Sequence, residues 1–116
     1  MITWVFLYGT LLDRRLFRRM AGSARPFRRG MHARAEGVRR VALRGTPYPT
    51  LVPGEGAVAG RLVPLPAAPL TRLRAYEGSS YRLVPLRVVT ARGLRRVRAW
   101  AAARWRAAVG HVWDVT

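Results

Sequence analysis

Ile2-Thr3-Trp4-Val5-Phe6-Leu7-Tyr8-Gly9-Thr10-Leu11 is the stretch from which the rest of this chain is best read. Its first seven residues are rich in β-branched and aromatic side chains and stop at a glycine, which predicts a buried strand over Ile2 to Tyr8. A helix follows: Thr10 is placed to cap it, Asp13 completes a capping-box-like pair, and Leu12, Leu16 and Met20 recur at helical spacing. Arg14, Arg15, Arg18 and Arg19 then fall on its wet side. A strand that passes straight into a helix start presents free backbone N–H groups, and Gly9 lets a ligand approach them closely. Such a turn can receive a carboxylate or a polarised carbonyl oxygen, or it can simply be a well-capped turn.

Outward from this turn, Gly22 and Pro26 interrupt the helical pattern, and His32–Glu36 and Val38–Leu43 read as two short strands around Gly37. Gly45-Thr46-Pro47-Tyr48-Pro49 is expected to be irregular, because each proline lacks a donor and restricts the residue before it. A strand is predicted over Ala57–Pro64, with Gly54-Glu55-Gly56 before it as a hairpin tip. Two last strands, Tyr81–Thr90 and Leu94–Trp105, are joined at Gly93. With no repeat and no linker, the 116 residues are expected to form a single domain, residues 1–116.

Composition closes several options. Half the residues are hydrophobic, so a core is expected despite a formal charge of +17. Cysteine is absent, which removes disulfides, thiolate nucleophiles and sulfur-ligated metals. The apolar start is too short to span a bilayer and no basic segment precedes it, so a cytoplasmic location without membrane attachment is expected. All 22 basic residues are arginine, and the acids are Asp13, Glu36, Glu55, Glu77 and Asp114. A G- and C-rich codon bias explains arginine over lysine but not the scarcity of acids. The excess predicts non-specific, sequence-independent attraction to nucleic acid at low salt. Only His32 and His111 are present, no histidine pair has ligand spacing, and no nucleophile elbow surrounds Ser23, Ser79 or Ser80. Gly54-Glu55-Gly56 opens no helix and so lacks the setting of a phosphate loop.

One carboxylate stands apart. Pro69 to Gly78 reads as a helix with proline in its first turn and glycine at its end. Leu70, Leu73 and Glu77 lie at i, i+3 and i+7, which puts Glu77 on the apolar face. Desolvation and the negative end of the helix dipole both raise the pKa of such a group. Two accounts stay open at this point: a poised base, or an ion pair with one of the many arginines.

The ordered set of these segments resembles the gamma-glutamylcyclotransferase-like family, in particular its gamma-glutamylamine cyclotransferase type. Val5-Phe6-Leu7-Tyr8-Gly9-Thr10-Leu11 is similar to that family's first strand and substrate loop, Tyr48-Pro49 to its internal Tyr-Pro step, and Val58–Leu62 to the strand that follows. Leu73-Arg74-Ala75-Tyr76-Glu77-Gly78, with Tyr81-Arg82, is similar to the segment that carries its catalytic glutamate. Two positions depart: Arg74 stands where aspartate is common, and Ala102 stands where a late-strand tyrosine is often found.

The resemblance implies an α+β fold, a small closed mixed β-barrel with short helices. It also implies release of 5-oxoproline and an amine from a γ-glutamyl compound, with Glu77 catalytic, Tyr8, Gly9, Thr10, Leu11 and Tyr81 binding substrate, and no metal or cofactor. For that chemistry the loop and Glu77 must meet in one cavity. The alternatives are a non-catalytic barrel that binds a small acid, and a basic nucleic-acid-binding module suggested by the charge and by Trp4, Trp100, Trp105 and Trp113. Oligomeric state is left open.

Overall fold

The computed structural model describes residues 1–42 and 48–102. Gly45, Thr46 and Pro47, the far end of the last strand at Trp105, and His111 and Trp113 therefore lie outside the described residues. Strand β1 (Thr3–Leu7) runs into a 3-10 turn (Thr10–Leu12), followed by helices α1 (Arg14–Ala21) and α2 (Arg25–Arg28), strands β2 (Met31–Ala42) and β3 (Pro49–Leu65), helix α3 (Ala67–Glu77), and strands β4 (Tyr81–Thr90) and β5 (Gly93–Ala102). These strands close into a barrel in the order β1-β3-β2-β4-β5. Most neighbours are antiparallel, but β5 returns to β1 in parallel, paired at Val5 and Arg98. The expected closed mixed barrel with short helices is thus the observed fold.

Strand β1 is apolar on successive residues because both its faces are covered. Phe6 points into the barrel with Leu51, Leu62 and Val88, whereas Val5 and Leu7 pack under the helices with Phe17, Leu73 and Trp100. The strand lies so close to β3 that a Cβ added at Gly60 would stand 2.1 Å from the Leu7 carbonyl oxygen. On α1 the arginines expected on the wet side are exposed. Its deepest contacts are nevertheless Phe17 and Ala21, with Leu12, Leu16 and Met20 only half-buried beside them.

Several local expectations are corrected. The two stretches expected around Gly37, as far as Ala42, belong to one strand, β2, in which Gly37 adopts a φ of 77° at a break in register; Leu43 lies outside the described residues. Opposite that break, Glu36 pairs with Ala57 and Val38 with Pro53, so Gly54-Glu55-Gly56 is a bulge inside β3 rather than a hairpin tip. Bulges bend a long strand pair, which here lets β2 and β3 wrap the barrel. Pro49, expected to be irregular, begins β3; among the described residues its half of the strand pairs with β2 alone, an edge that tolerates a missing donor. Pro26 does not simply break a helix but sits in the first turn of α2.

Candidate active site

The turn after β1 is built differently from the expected capped helix. Thr10 does not cap: its hydroxyl lies 2.9 Å from the Tyr76 hydroxyl, and Asp13 is the true cap of α1, accepting from Arg15 and Leu16 N–H at 2.9 and 3.2 Å. Between them the chain makes one 3-10 turn, with Leu12 N–H donating to Gly9 and Asp13 N–H to Thr10. Those bonds leave the N–H groups of Thr10 and Leu11 outside the turn's own hydrogen bonding. The loop is held from two sides. Arg40 on β2 donates to the Tyr8 carbonyl at 2.8 Å, which polarises the Tyr8–Gly9 peptide and strengthens the Gly9 N–H as a donor. Pro49 presses on Gly9 so closely that an added Cβ would lie 2.9 Å from its Cγ.

Glu77 arrives from the other side of the chain as the last residue of α3. Leu73 on the same face is fully buried and Leu70 packs beside it, as the i, i+3, i+7 spacing requires. Gly78, at φ 80°, ends the helix directly after the carboxylate. Among the described residues Arg34–Glu36 is the sole ion pair, so no described arginine neutralises Glu77. Its pKa is pushed up to about 7 from an ordinary 4.5, and the cause is desolvation by burial. Among the described residues the ion-pair account finds no partner, and what the surroundings give Glu77 is a raised pKa.

Beneath these groups runs a buried polar chain. Ala102 N–H donates to the Thr50 hydroxyl at 2.9 Å, and the Tyr8 hydroxyl, near enough to Thr50 for its side chain to hold the Tyr8 pKa down, donates to the Trp100 carbonyl. Burial raises the Tyr8 pKa far above its ordinary value, with Thr50 pulling the other way and Tyr81 and Glu77 adding to the rise. Its proton is committed, so Tyr8 shapes and anchors the site rather than exchanging protons near neutrality. Tyr81 likewise spends its hydroxyl proton on the Pro49 carbonyl at 2.9 Å and can offer a ligand only an acceptor. Desolvation, and then the Glu77 charge, raise the Tyr81 pKa.

All six candidate residues meet. Tyr8, Gly9, Thr10, Leu11, Glu77 and Tyr81 line one cavity of about 130 Å3, together with walls from Tyr48, Pro49, Tyr76 and Trp100. Ala102 is buried but lies outside this wall, and Arg74 is exposed on α3, so neither departure from the resembled pattern touches the cavity. Sequence reasoning did not assign roles to Thr50, Tyr76 or Arg40. Tyr76 was legible as the neighbour of Glu77, whereas Thr50 and Arg40 act across strands and carry no local signal. Chemically the cavity brings one group that ionises near neutrality together with the Gly9–Leu11 backbone and mainly apolar walls.

The family model described as gamma-glutamyl cyclotransferase, AIG2-like, matches residues 5–108. The chain belongs to that family. The gamma-glutamyl cyclotransferase, AIG2-like barrel recurs in solved structures that share the fold at low identity. An Arabidopsis thaliana protein solved in solution aligns with a TM-score of 0.76 and 23% identity, over 99% of this chain and 74% of its own. A gamma-glutamyl cyclotransferase aligns at 0.71 and 16% identity, over 89% of this chain and 68% of its own. An AIG2-like protein from Mus musculus aligns at 0.63 and 17% identity, over 90% and 82%. No curated protein sequence matches significantly.

Proposed function

We propose that this protein cyclises γ-glutamyl compounds, releasing 5-oxoproline and an amine. Membership of the family supports the reaction class, and one observation carries the assignment to residues: a desolvated Glu77, with a pKa of about 7, shares a small cavity with the Tyr8–Leu11 loop. The α-amino nitrogen of the substrate forms a bond to its own γ-carbonyl carbon, and the bond from that carbon to the leaving nitrogen breaks. On becoming the lactam N–H the α-ammonium sheds two protons, which Glu77 accepts in turn and passes on. One goes to the leaving nitrogen as its bond to carbon breaks and the second protonates the released amine to its ammonium form, so that atoms and charge balance without a third reactant. Backbone N–H groups of Gly9, Thr10 and Leu11 hold the negative oxygen atoms of the glutamyl group, and the walls fold the substrate so that nitrogen and carbonyl meet.

The test is 5-oxoproline release from a panel of γ-glutamyl amines, amino acids and peptides. Turnover of at least one class is expected. Binding of γ-glutamyl compounds with no release from any of them would leave a barrel that holds small acids without transforming them.

A further inference from the structure

Helix α1 carries four exposed arginines, Arg14, Arg15, Arg18 and Arg19, and α2 adds an exposed fifth, Arg28. With Ala24 between the helices they line one open concavity of about 720 Å3, and none of them lines the Glu77 cavity. Helix physics opposes several of these choices. Arg14 and Arg18, like Arg15 and Arg19, are like-charged neighbours at i, i+4, and the first turn holds two cations and no acid. The one acid nearby, Asp13, is committed to the cap. A cleft lined by one sign of charge focuses its field outward and gathers counter-charge.

We propose that this concavity is a docking surface for the phosphodiester backbone of nucleic acid, read without regard to sequence. The lining decides among polyanions. A protein partner needs apolar or aromatic anchors at the centre of its interface, and here Ala24 is the one apolar group among five guanidiniums. A membrane is flat and cannot enter a concavity, and the apolar face of α1 is already spent on Phe17 and Ala21 in the core. A strand of phosphates fits both demands: the guanidinium fork suits phosphate oxygens. Arginines one helical turn apart are spaced along the axis by about 6 Å, close to the separation of neighbouring phosphates. With no aromatic side chain in the lining, bases have nothing to stack on. This inference is independent of the cyclotransferase reading.

Fluorescence anisotropy with labelled single strands of about twenty nucleotides, as DNA and as RNA, tests it between about 50 and 200 mM salt. Five engaged arginines predict a slope of log affinity against log salt of about −3.5 on single strands. Replacing Arg14, Arg18 and Arg28 by glutamine should weaken binding at least about tenfold at low salt and flatten the slope by about 2. Replacing Arg92, Arg95 and Arg96, exposed in the β4–β5 turn and at the start of β5, removes equal charge and should weaken it less than about threefold. DNA and RNA should bind within about threefold of each other, because phosphates are common to both. Equal losses in the two triple variants would reduce the effect to net charge and overturn the proposal. So would poly-glutamate or phosphatidylserine vesicles binding as tightly as the oligonucleotides, or a strong preference for one nucleic acid. Circular dichroism melts of both variants confirm that the fold is intact.

Discussion

The Glu77 cavity and the arginine concavity treat charge in opposite ways. The cavity contains one carboxylate among described residues that supply no counter-ion, and desolvation moves its pKa to about 7. The concavity gathers five cations in water, where each is solvated and repulsions amount to a few tenths of a kcal/mol. Environment, not the number of charges, sets how a group titrates: the half-buried Glu77 is held near neutrality, whereas the many exposed bases are a field.

The sharpest way to break this contrast is Glu77→Gln. The amide keeps the shape but accepts no proton, so turnover should fall by about 10²- to 10⁴-fold in a 5-oxoproline assay; unchanged turnover removes Glu77 from the chemistry. Next in size is Gly9→Ala. Its added carbon meets Pro49 at 2.9 Å, shifting the loop donors, and a loss of about 10- to 100-fold in kcat/KM is expected, with a smaller fall in melting temperature.

Stability gives a third, oppositely signed test. Glu77 binds its proton more tightly in the folded chain, so its contribution is fully present below about pH 4.5 and is lost as pH rises to about 7. Glu77→Gln should therefore be more stable than the parent at pH 8, by roughly 1–2 kcal/mol after allowing for partial exposure, with the difference opening between pH 4.5 and 7. Activity should instead rise around pH 7, where the carboxylate form appears in the folded chain. Melting curves and rates across pH check both; a variant less stable at every pH would mean that Glu77 is structural.

Smaller effects belong to supporting groups. Tyr81→Phe frees the Pro49 carbonyl and should cost about 1 kcal/mol in chemical denaturation, with KM changing more than kcat. Least of all, glutamine at Arg14, Arg18 and Arg28 should move stability by no more than about 0.5 kcal/mol, measured the same way, and leave turnover unchanged.

Much of this was legible in the sequence where signals are local. Ile2–Tyr8, the face of Leu70, Leu73 and Glu77, the stop at Gly78 and the hairpin at Gly93 all depend on periodicity or on one permissive residue, and each recurs in the fold. The cap of α1 was misassigned because Thr10 and Asp13 both have capping side chains, and only the tertiary partner Tyr76 decides which is used. The reach of β3 was hidden by Pro49, Pro53 and the two glycines near Glu55, which read as breakers until the barrel supplies an edge and a bulge to accept them. The convergence of the loop with Glu77 followed from the resemblance and from no local pattern. Thr50 and Arg40 were invisible, since their partners lie 52 and 32 residues away.

The parallel seam between β1 and β5 has a consequence for biogenesis. It joins Val5 to Arg98, and the cavity wall takes in Trp100. During synthesis β1 can pair with β3 once residue 65 has emerged, yet the ring stays open until Arg98 on β5 has emerged as well. In that interval Glu77 is already made, but the part of the cavity wall that Trp100 supplies is missing. The surroundings of Glu77 are thus complete only when the last strand zips the seam and brings Trp100 to the cavity wall.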